Sequence, residues 1–350
     1  MNQEIKTAFF VYPSAFQNIG GGEILLLKTK EYLEKEGVSV KLFDIWNDKL
    51  DEFNILHIFG AVRPCLGLMN TAKNKGIKVV LTPVTYYDFD MAMHEYGSMQ
   101  KKINNSIRYA VKRVFPIYPS DRRKMLVLAD ALIPNSEAEK SQLAQLFAIA
   151  KEKMHVIPNC VDKEFANANP DLFLSKYNIS DFVLSVGRIE PRKNQLNLIK
   201  ALSGFNKPLV FIGDPVSDYS EYYNECKKHS NKNITFIGKI NHKDELLKSA
   251  YAACKCFVSQ GWLETPGLAC LEAGLAGANI ATTNKGCTKE YFKDYVEYFN
   301  PAKLSSIRKA AEAAFFKNKN SLFKDYIMKN LLWDVAAKKN LEIYENLVNS

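Results

Sequence analysis

The chain has 350 residues, 47% of them hydrophobic and 24% charged, a composition that excludes a disordered or collagen-like polypeptide and leaves a globular one. At roughly 100–200 residues per domain, this length predicts two domains, each with its own core. The formal charge of +9, from 47 Lys and Arg against 38 Asp and Glu, leaves nucleic acid, an anionic membrane and a phosphorylated small molecule open as partners.

Short β-rich runs alternate with helical patterns, the order expected of parallel sheets built from βαβ units. Ala8-Phe9-Phe10-Val11 reads as a strand and Glu23 to Glu36 as a helix stopped by Gly37, with further strands at 38–43, 55–59 and 79–81. Helices follow across 100–129, then a strand at 131–133, a helix from Ser136 to about Ile149 and a strand at 155–157. Between Asp162 and Ser180 the composition turns polar and irregular, which predicts a linker. The alternation then restarts. Strands at 182–186, 208–212, 234–237, 256–259, 279–282 and 296–299 are separated by helices at about 193–203, 217–229, 243–254, 268–277 and 304–318. Both halves are thus expected to be α/β, Rossmann-like sheets. Trp333, Ala336, Ala337, Leu341, Tyr344, Leu347 and Val348 fall at helical spacing, an apolar stripe that needs a surface to cover.

Seven scattered cysteines form no Cys-x-x-Cys pair and predict reduced, packed thiols rather than metal ligands. Met1-Asn2-Gln3-Glu4 carries an acid, and the apolar stretch after it breaks at Tyr12-Pro13, so no signal peptide is expected. No run approaches the roughly 18 apolar residues of a membrane-spanning helix. The expected location is cytoplasmic.

The second half carries side chains that are hard to explain as packing. The strand at 182–186 runs into Gly187-Arg188-Ile189-Glu190-Pro191-Arg192-Lys193, placing a guanidinium and an ammonium around a helix start, where backbone amides already favour anions. Such a set can hold a diphosphate; the plain alternative is solvated surface charge. Further on, Glu264-Thr265-Pro266-Gly267-Leu268 precedes a helix whose Glu272 sits among Leu271, Ala273, Gly274 and Leu275. A carboxylate in that apolar setting needs hydrogen-bond partners, such as paired ligand hydroxyls. The alternatives are a helix-dipole charge for Glu264 and a helix-face ion pair for Glu272.

Together, Gly187-Arg188-x4-Lys193 and Glu264-x7-Glu272 resemble the retaining GT-B glycosyltransferases of glycosyltransferase family 4. The resemblance extends over Asn18-Ile19-Gly20-Gly21-Gly22-Glu23, Val156 to Asp162, Phe236-Ile237-Gly238-Lys239-Ile240 and Trp333 to Leu347. It implies a GT-B fold of two Rossmann-like domains facing a central cleft: an acceptor domain over 1–165, a nucleotide-sugar domain over 180–332, and a helix at about 333–350 that returns to the first domain. It also implies that Arg188 and Lys193 neutralise a nucleotide diphosphate, that Glu264 contacts the donor sugar, and that Glu272 takes the ribose hydroxyls. Pro266, Gly267 and Leu268 would approach the sugar and phosphate, and Gly238, Lys239 and Ile240 the base. No metal or other cofactor is implied.

In the first half, Gly21 and Gly22 follow Gly20 between the first strand and first helix, where backbone N–H groups can face a diphosphate or an acceptor. A dinucleotide-binding G-x-G-x-x-G fails on spacing, because position 25 is Leu25. Members of the family often carry a His after the fourth strand; this chain has Thr82-Pro83-Val84-Thr85-Tyr86 instead, so Thr85 becomes a candidate sugar contact. His57 is a candidate sugar or acceptor contact as well, set against the simpler reading of a packed, hydrogen-bonded core histidine.

Residues 101–124 hold eight basic side chains and one acid, Asp121, a net +7. Ile103, Ile107, Val111 and Val114 form a stripe beside them. That pattern fits an anionic membrane carrying a lipid-linked acceptor, or else a solvated basic face over a core-facing stripe. No nucleic-acid motif accompanies it. The expected activity is transfer of a hexose from a nucleotide diphosphate sugar to a glycan or lipid-linked glycan, with retention and same-face attack. The alternative is a nucleotide-sugar-binding protein without catalysis; an epimerase or phosphorylase on this fold is less well matched.

Overall fold

The computed structural model describes residues 4–17, 19–94, 98–319 and 321–349; Asn18 and the Lys101 side chain lie outside them. The chain divides into two compact units, one of Met1–Tyr87, Arg108–Cys160 and Leu331–Ser350, the other of Asp88–Ile107 and Val161–Asn330. Residues 88–107 therefore fall with the second unit, whereas the resemblance implies a first domain over 1–165 that includes them.

The first half of the chain forms β1 (Lys6–Phe10), α1 (Gly21–Lys35), β2 (Ser39–Leu42), β3 (Ile55–Phe59), α2 (Leu66–Asn74), β4 (Lys78–Thr82), α3 (Phe89–His94), α4 (Met99–Val114), α5 (Asp121–Leu128), β5 (Ala131–Leu132) and α6 (Glu137–Phe147). The strands make one parallel sheet in the order β2-β1-β3-β4-β5. Every residue of β3 is buried, as a central parallel strand covered on both faces requires. Residues 155–157 do not form the expected strand. His155 and Ile157 donate to Leu132 O (2.9 Å) and Pro134 O (3.1 Å), but Pro134 and Pro158 lack the N–H groups that would extend the ladder.

The second half forms α7 (Asp171–Tyr177), β6 (Val183–Val186), α8 (Gln195–Ala201), β7 (Leu209–Ile212), α9 (Ser220–Lys228), β8 (Ile234–Gly238), α10 (Glu245–Ala253), β9 (Cys256–Ser259) and α11 (Leu268–Leu275). It continues with β10 (Asn279–Thr283), α12 (Thr288–Phe292), β11 (Glu297–Phe299), α13 (Leu304–Phe316), α14 (Leu322–Asn330) and α15 (Trp333–Val348). Its parallel sheet has the order β11-β10-β9-β6-β7-β8. The expected linker is instead built into this unit. Phe173 of α7 is buried and stacks on Phe182 at 5.1 Å, and its N–H donates to Ser249 Oγ (2.8 Å).

Helix α15 belongs to the first unit and packs on α1, with Trp333 beside Tyr32 at 6.5 Å between rings. Its buried face runs through Trp333, Ala336, Ala337, Asn340, Ile343 and Tyr344. Leu341, Leu347 and Val348 of the expected stripe are half-buried at its margin. All seven cysteines are buried thiols outside any disulfide.

Candidate functional site

The strand order of the second sheet reverses between β6 and β9, which lie side by side: β7 and β8 continue from one, β10 and β11 from the other. In open parallel sheets the crevice for ligands lies beyond the carboxyl ends of the strands at such a switch point. The loops leaving β6 and β9 carry the cations and the first of the carboxylates singled out from the sequence.

Gly187 follows β6 at φ +148°, and Gly213 closes in behind it so tightly that a Cβ there would stand 2.2 Å from Gly187 O. Arg188 follows, its side chain 46% exposed and its Nη2 3.6 Å from Glu190 Oε1. Glu190 also pairs with Arg192 at 3.2 Å. Lys193 lies in a short 3-10 turn, Pro191–Lys193, and α8 begins only after Asn194, whose φ is +57°. The Asn194 side-chain amide donates to Gln260 O (3.1 Å) and Pro301 O (3.2 Å), tying this turn to the loop after β9.

That connection brings Lys193 to Glu264. Lys193 Nζ donates to both carboxylate oxygens, at 2.8 Å and 3.1 Å, and Glu264 is only 3% exposed. Three glycines make the fit possible. A Cβ on Gly261 would stand 2.5 Å from Glu264 Oε1, one on Gly267 2.9 Å from Oε2, and one on Gly286 2.0 Å from the Glu264 carbonyl oxygen. Gly267, at φ +85°, is also the N-cap of α11, with Pro266 just before it and Leu268 as the first helical residue.

Glu272, in the same helix, is buried and held on both oxygens. His242 Nε2 donates to Oε1 (2.7 Å) and the Tyr251 hydroxyl to Oε2 (2.8 Å). Burial and the neighbouring Glu272 carboxylate hold the Tyr251 hydroxyl well above its ordinary pKa, so it remains a donor. Neither partner stood out in the sequence, because a contact 30 or 21 residues away leaves no trace in local spacing. Gly238 ends β8 at φ +86°, and Lys239 N–H donates to Asp214 Oδ1 (2.9 Å), with Ile240 next.

In the first unit, Gly20 caps α1 and Gly21 and Gly22 form its exposed first turn rather than a loop before it. A Cβ on either would meet nothing within 4 Å. His57 is fully buried: Nδ1 meets the Tyr344 hydroxyl at 2.6 Å and Nε2 the Thr82 hydroxyl at 2.8 Å, and desolvation pushes its pKa down to about 3. Thr85 is buried too, its hydroxyl donating to Pro83 O (3.0 Å) and its N–H to Glu139 Oε1 (2.6 Å). Both side chains are thus engaged within the first unit's core. Glu139 also accepts from Asn135 N–H (2.8 Å), while burial raises its pKa to about 7 against the effect of those bonds. Among the described residues no three His, Cys, Asp or Glu side chains converge as metal ligands would.

Residues 174–320 match the family described as glycosyl transferases group 1, and residues 46–165 match glycosyltransferase family 4. The chain is 28% identical over 201 residues to the serotype-specific mannosyltransferase WbdA of Escherichia coli, a match that takes in 53% of this chain and 24% of that protein. It is 34% identical over 92 residues to a Campylobacter jejuni N-acetylgalactosamine-N,N'-diacetylbacillosaminyl-diphospho-undecaprenol 4-alpha-N-acetylgalactosaminyltransferase, covering 25% of this chain and 24% of that one. The chain therefore spans about a quarter of the length of these curated relatives. Among solved structures, HepE of Anabaena in complex with UDP and glucose superposes with a TM-score of 0.70 at 16% identity, over 97% of this chain and 99% of that one, which shows a shared GT-B fold.

Proposed function

Because the chain belongs to the glycosyltransferases of the group 1 and family 4 type, we propose that it transfers a hexose from a nucleotide diphosphate sugar to a glycan or lipid-linked glycan, retaining the anomeric configuration. The observation that carries this reading is the Lys193–Glu264 pair at the switch point of the second sheet, with Arg188 on one flank and Glu272 in the helix that follows. The names of the relatives support it: one is a mannosyltransferase, another acts on a sugar linked to diphospho-undecaprenol, and HepE was solved with UDP.

Arg188 and Lys193 supply fixed positive charge to the diphosphate, whose negative charge grows as the sugar leaves. Glu264, aimed by Lys193, accepts from donor-sugar hydroxyls. Glu272 accepts from the ribose, and the turn at Gly238, Lys239 and Ile240 receives the base. The C1–O bond to phosphate breaks while an acceptor hydroxyl oxygen bonds C1 from the same face. The hydroxyl proton passes to the departing phosphate oxygen, so no carboxylate nucleophile is required. Two protein cations do the work of neutralising the leaving group without a bound metal.

The acceptor side rests on α4. Its stripe of Ile103, Ile107, Val111 and Val114 is exposed, at 38–67%, and Phe115, Ile117 and Tyr118 continue it. An apolar stripe in water beside basic residues suits the surface of an anionic membrane, where a lipid-linked acceptor resides. No helix among the described residues is long and apolar enough to cross a membrane.

The deciding experiment screens the full chain against UDP-, GDP- and ADP-sugars by thermal shift, then follows nucleotide release with and without glycan acceptors. A selective stabilising nucleotide sugar, with release that needs acceptor and is lost in Arg188→Ala, is expected. Binding without acceptor-dependent release would leave a non-catalytic binding protein. No binding of any nucleotide sugar would overturn the reading.

A further inference from the structure

Glu272 has one protein donor on each oxygen, and the two donors differ in kind. Tyr251 reaches Oε2 from α10 and is fully buried, whereas His242, whose side chain is 24% exposed, reaches Oε1 from the loop after β8. Phe165 backs both, its ring 6.0 Å from His242 and 6.0 Å from Tyr251. The imidazole is thus held by an aromatic wall and by the carboxylate, at a position four residues beyond the Gly238 turn.

A carboxylate oxygen accepts about two hydrogen bonds, so one donor on each fixes the plane of the group and leaves one acceptor direction on each oxygen. One remaining acceptor position on each oxygen of a carboxylate held at both ends matches a pair of vicinal hydroxyls. A carboxylate free to rotate matches them only after losing side-chain entropy on binding. The two donors also solvate the charge that burial would otherwise penalise. Since Glu272 is the acceptor in both bonds, Nε2 carries its proton in either charge state of the imidazole.

We propose that His242 is a positioning residue for nucleotide recognition: by donating Nε2–H to Glu272 Oε1 it locks the carboxylate in the orientation that receives the two ribose hydroxyls. The proposal rests on the donor-site reading above and adds to it a residue that the spacing of Glu264 and Glu272 does not reveal.

The test is calorimetric binding of UDP, GDP and ADP to the full chain, followed by the 2',3'-dideoxy counterpart of whichever binds tightest. In the wild type, the dideoxy compound should bind more weakly. His242→Phe keeps a ring against Phe165 but removes the donor, and should weaken the ribonucleotide roughly tenfold, the scale of one hydrogen bond to a charged group. The dideoxy compound should be left within about twofold of its wild-type affinity. His242→Gln restores an N–H donor and should recover most of the loss, and melting curves of both variants check the fold. Equal weakening of ribo- and dideoxynucleotide by His242→Phe, or no weakening of either, would overturn the positioning role while leaving the donor site standing. If no diphosphate binds the wild type, the donor site falls and this inference with it.

Discussion

Lys193 Nζ lies within hydrogen-bond reach of both oxygens of Glu264, 71 residues further along the chain, so one ion pair joins the loops that leave β6 and β9. Glu264 is buried and Lys193 retains some contact with water. Removing the lysine alone strands a carboxylate, and Lys193→Ala should cost about 3 kcal/mol, the low end for breaking a buried pair. Arg188→Ala, at an exposed position, should cost less than about 0.5 kcal/mol. Both should reduce transfer by orders of magnitude. Urea denaturation alongside donor turnover separates the two: loss of activity without loss of stability in Arg188→Ala marks a ligand contact, whereas wild-type turnover in that variant would remove Arg188 from the site.

The glycines around Glu264 and those that open α1 should answer oppositely to alanine. Gly286 has φ +87° and no room for a Cβ beside the Glu264 carbonyl, so Gly286→Ala should destabilise by about 3 kcal/mol through strain and overpacking. Gly21 and Gly22 are exposed in a helical first turn with open space around them. Replacing either by Ala should stabilise α1 by roughly 0.5 kcal/mol. If the backbone there meets a ligand, those same variants should raise the KM for donor or acceptor severalfold. Unchanged kinetics in both would assign the glycines no part in binding.

Much of this site is legible in the sequence because its local geometry is: Gly187, Arg188 and Lys193 share one turn, and Glu264, Gly267 and Glu272 share one loop and helix. What joins these segments is not. The Asn194 bonds to Gln260 and Pro301, and those of His242 and Tyr251 to Glu272, depend on which strands become neighbours, and only the sheet order decides that. The missed helix α7 has seven residues, too few for periodicity to stand out among Asn, Pro and Asp. The spacing around His57 does not separate a cleft residue from a core one, because the Tyr344 and Thr82 hydroxyls that engage it come from α15 and β4.

His57 and Glu139 should give the first unit opposing pH dependences. His57 has its pKa lowered from 6.5 to about 3, so the unfolded chain binds the extra proton and stability falls as the pH drops through that window. Glu139 has its pKa raised from 4.5 to about 7, so the folded chain binds the extra proton and stability falls as the pH rises through that range. Each contributes up to about 1.4 kcal/mol per pH unit, and between about 4.5 and 6.5 they offset one another. Relative to wild type, Glu139→Gln should therefore lose ground at pH 5 and recover it towards pH 7.5, while His57→Gln should gain ground towards pH 4. Chemical denaturation at each pH reads both differences, and parallel profiles for the variants and wild type would show that neither group titrates with folding. Donor KM should be unchanged in His57→Gln, since the ring is fully buried and both its nitrogens are engaged by core hydroxyls.

Binding to an anionic membrane should depend separately on the apolar stripe and the charges of α4. Among the described basic side chains of 101–124, Lys112 donates to the Tyr87 hydroxyl (2.6 Å), Arg122 to Ala61 O (3.0 Å) and Arg123 to Phe147 O (3.0 Å). Arg108, Arg113 and Lys124 are exposed. Near an anionic surface each such charge contributes up to about 1 kcal/mol, and each inserted Ile or Val about 1.5–3 kcal/mol at full burial. The full chain should float with vesicles of phosphatidylcholine and phosphatidylglycerol, and much less with phosphatidylcholine alone. Arg108→Glu with Arg113→Glu should remove the preference for the anionic lipid. Ile103→Ser with Ile107→Ser should instead weaken flotation at every salt concentration, because burial of apolar surface is not screened while the charges are. Recovery in the top fraction equal to that of a lipid-free control, in low salt with the anionic vesicles, would assign the exposed stripe to something other than a membrane.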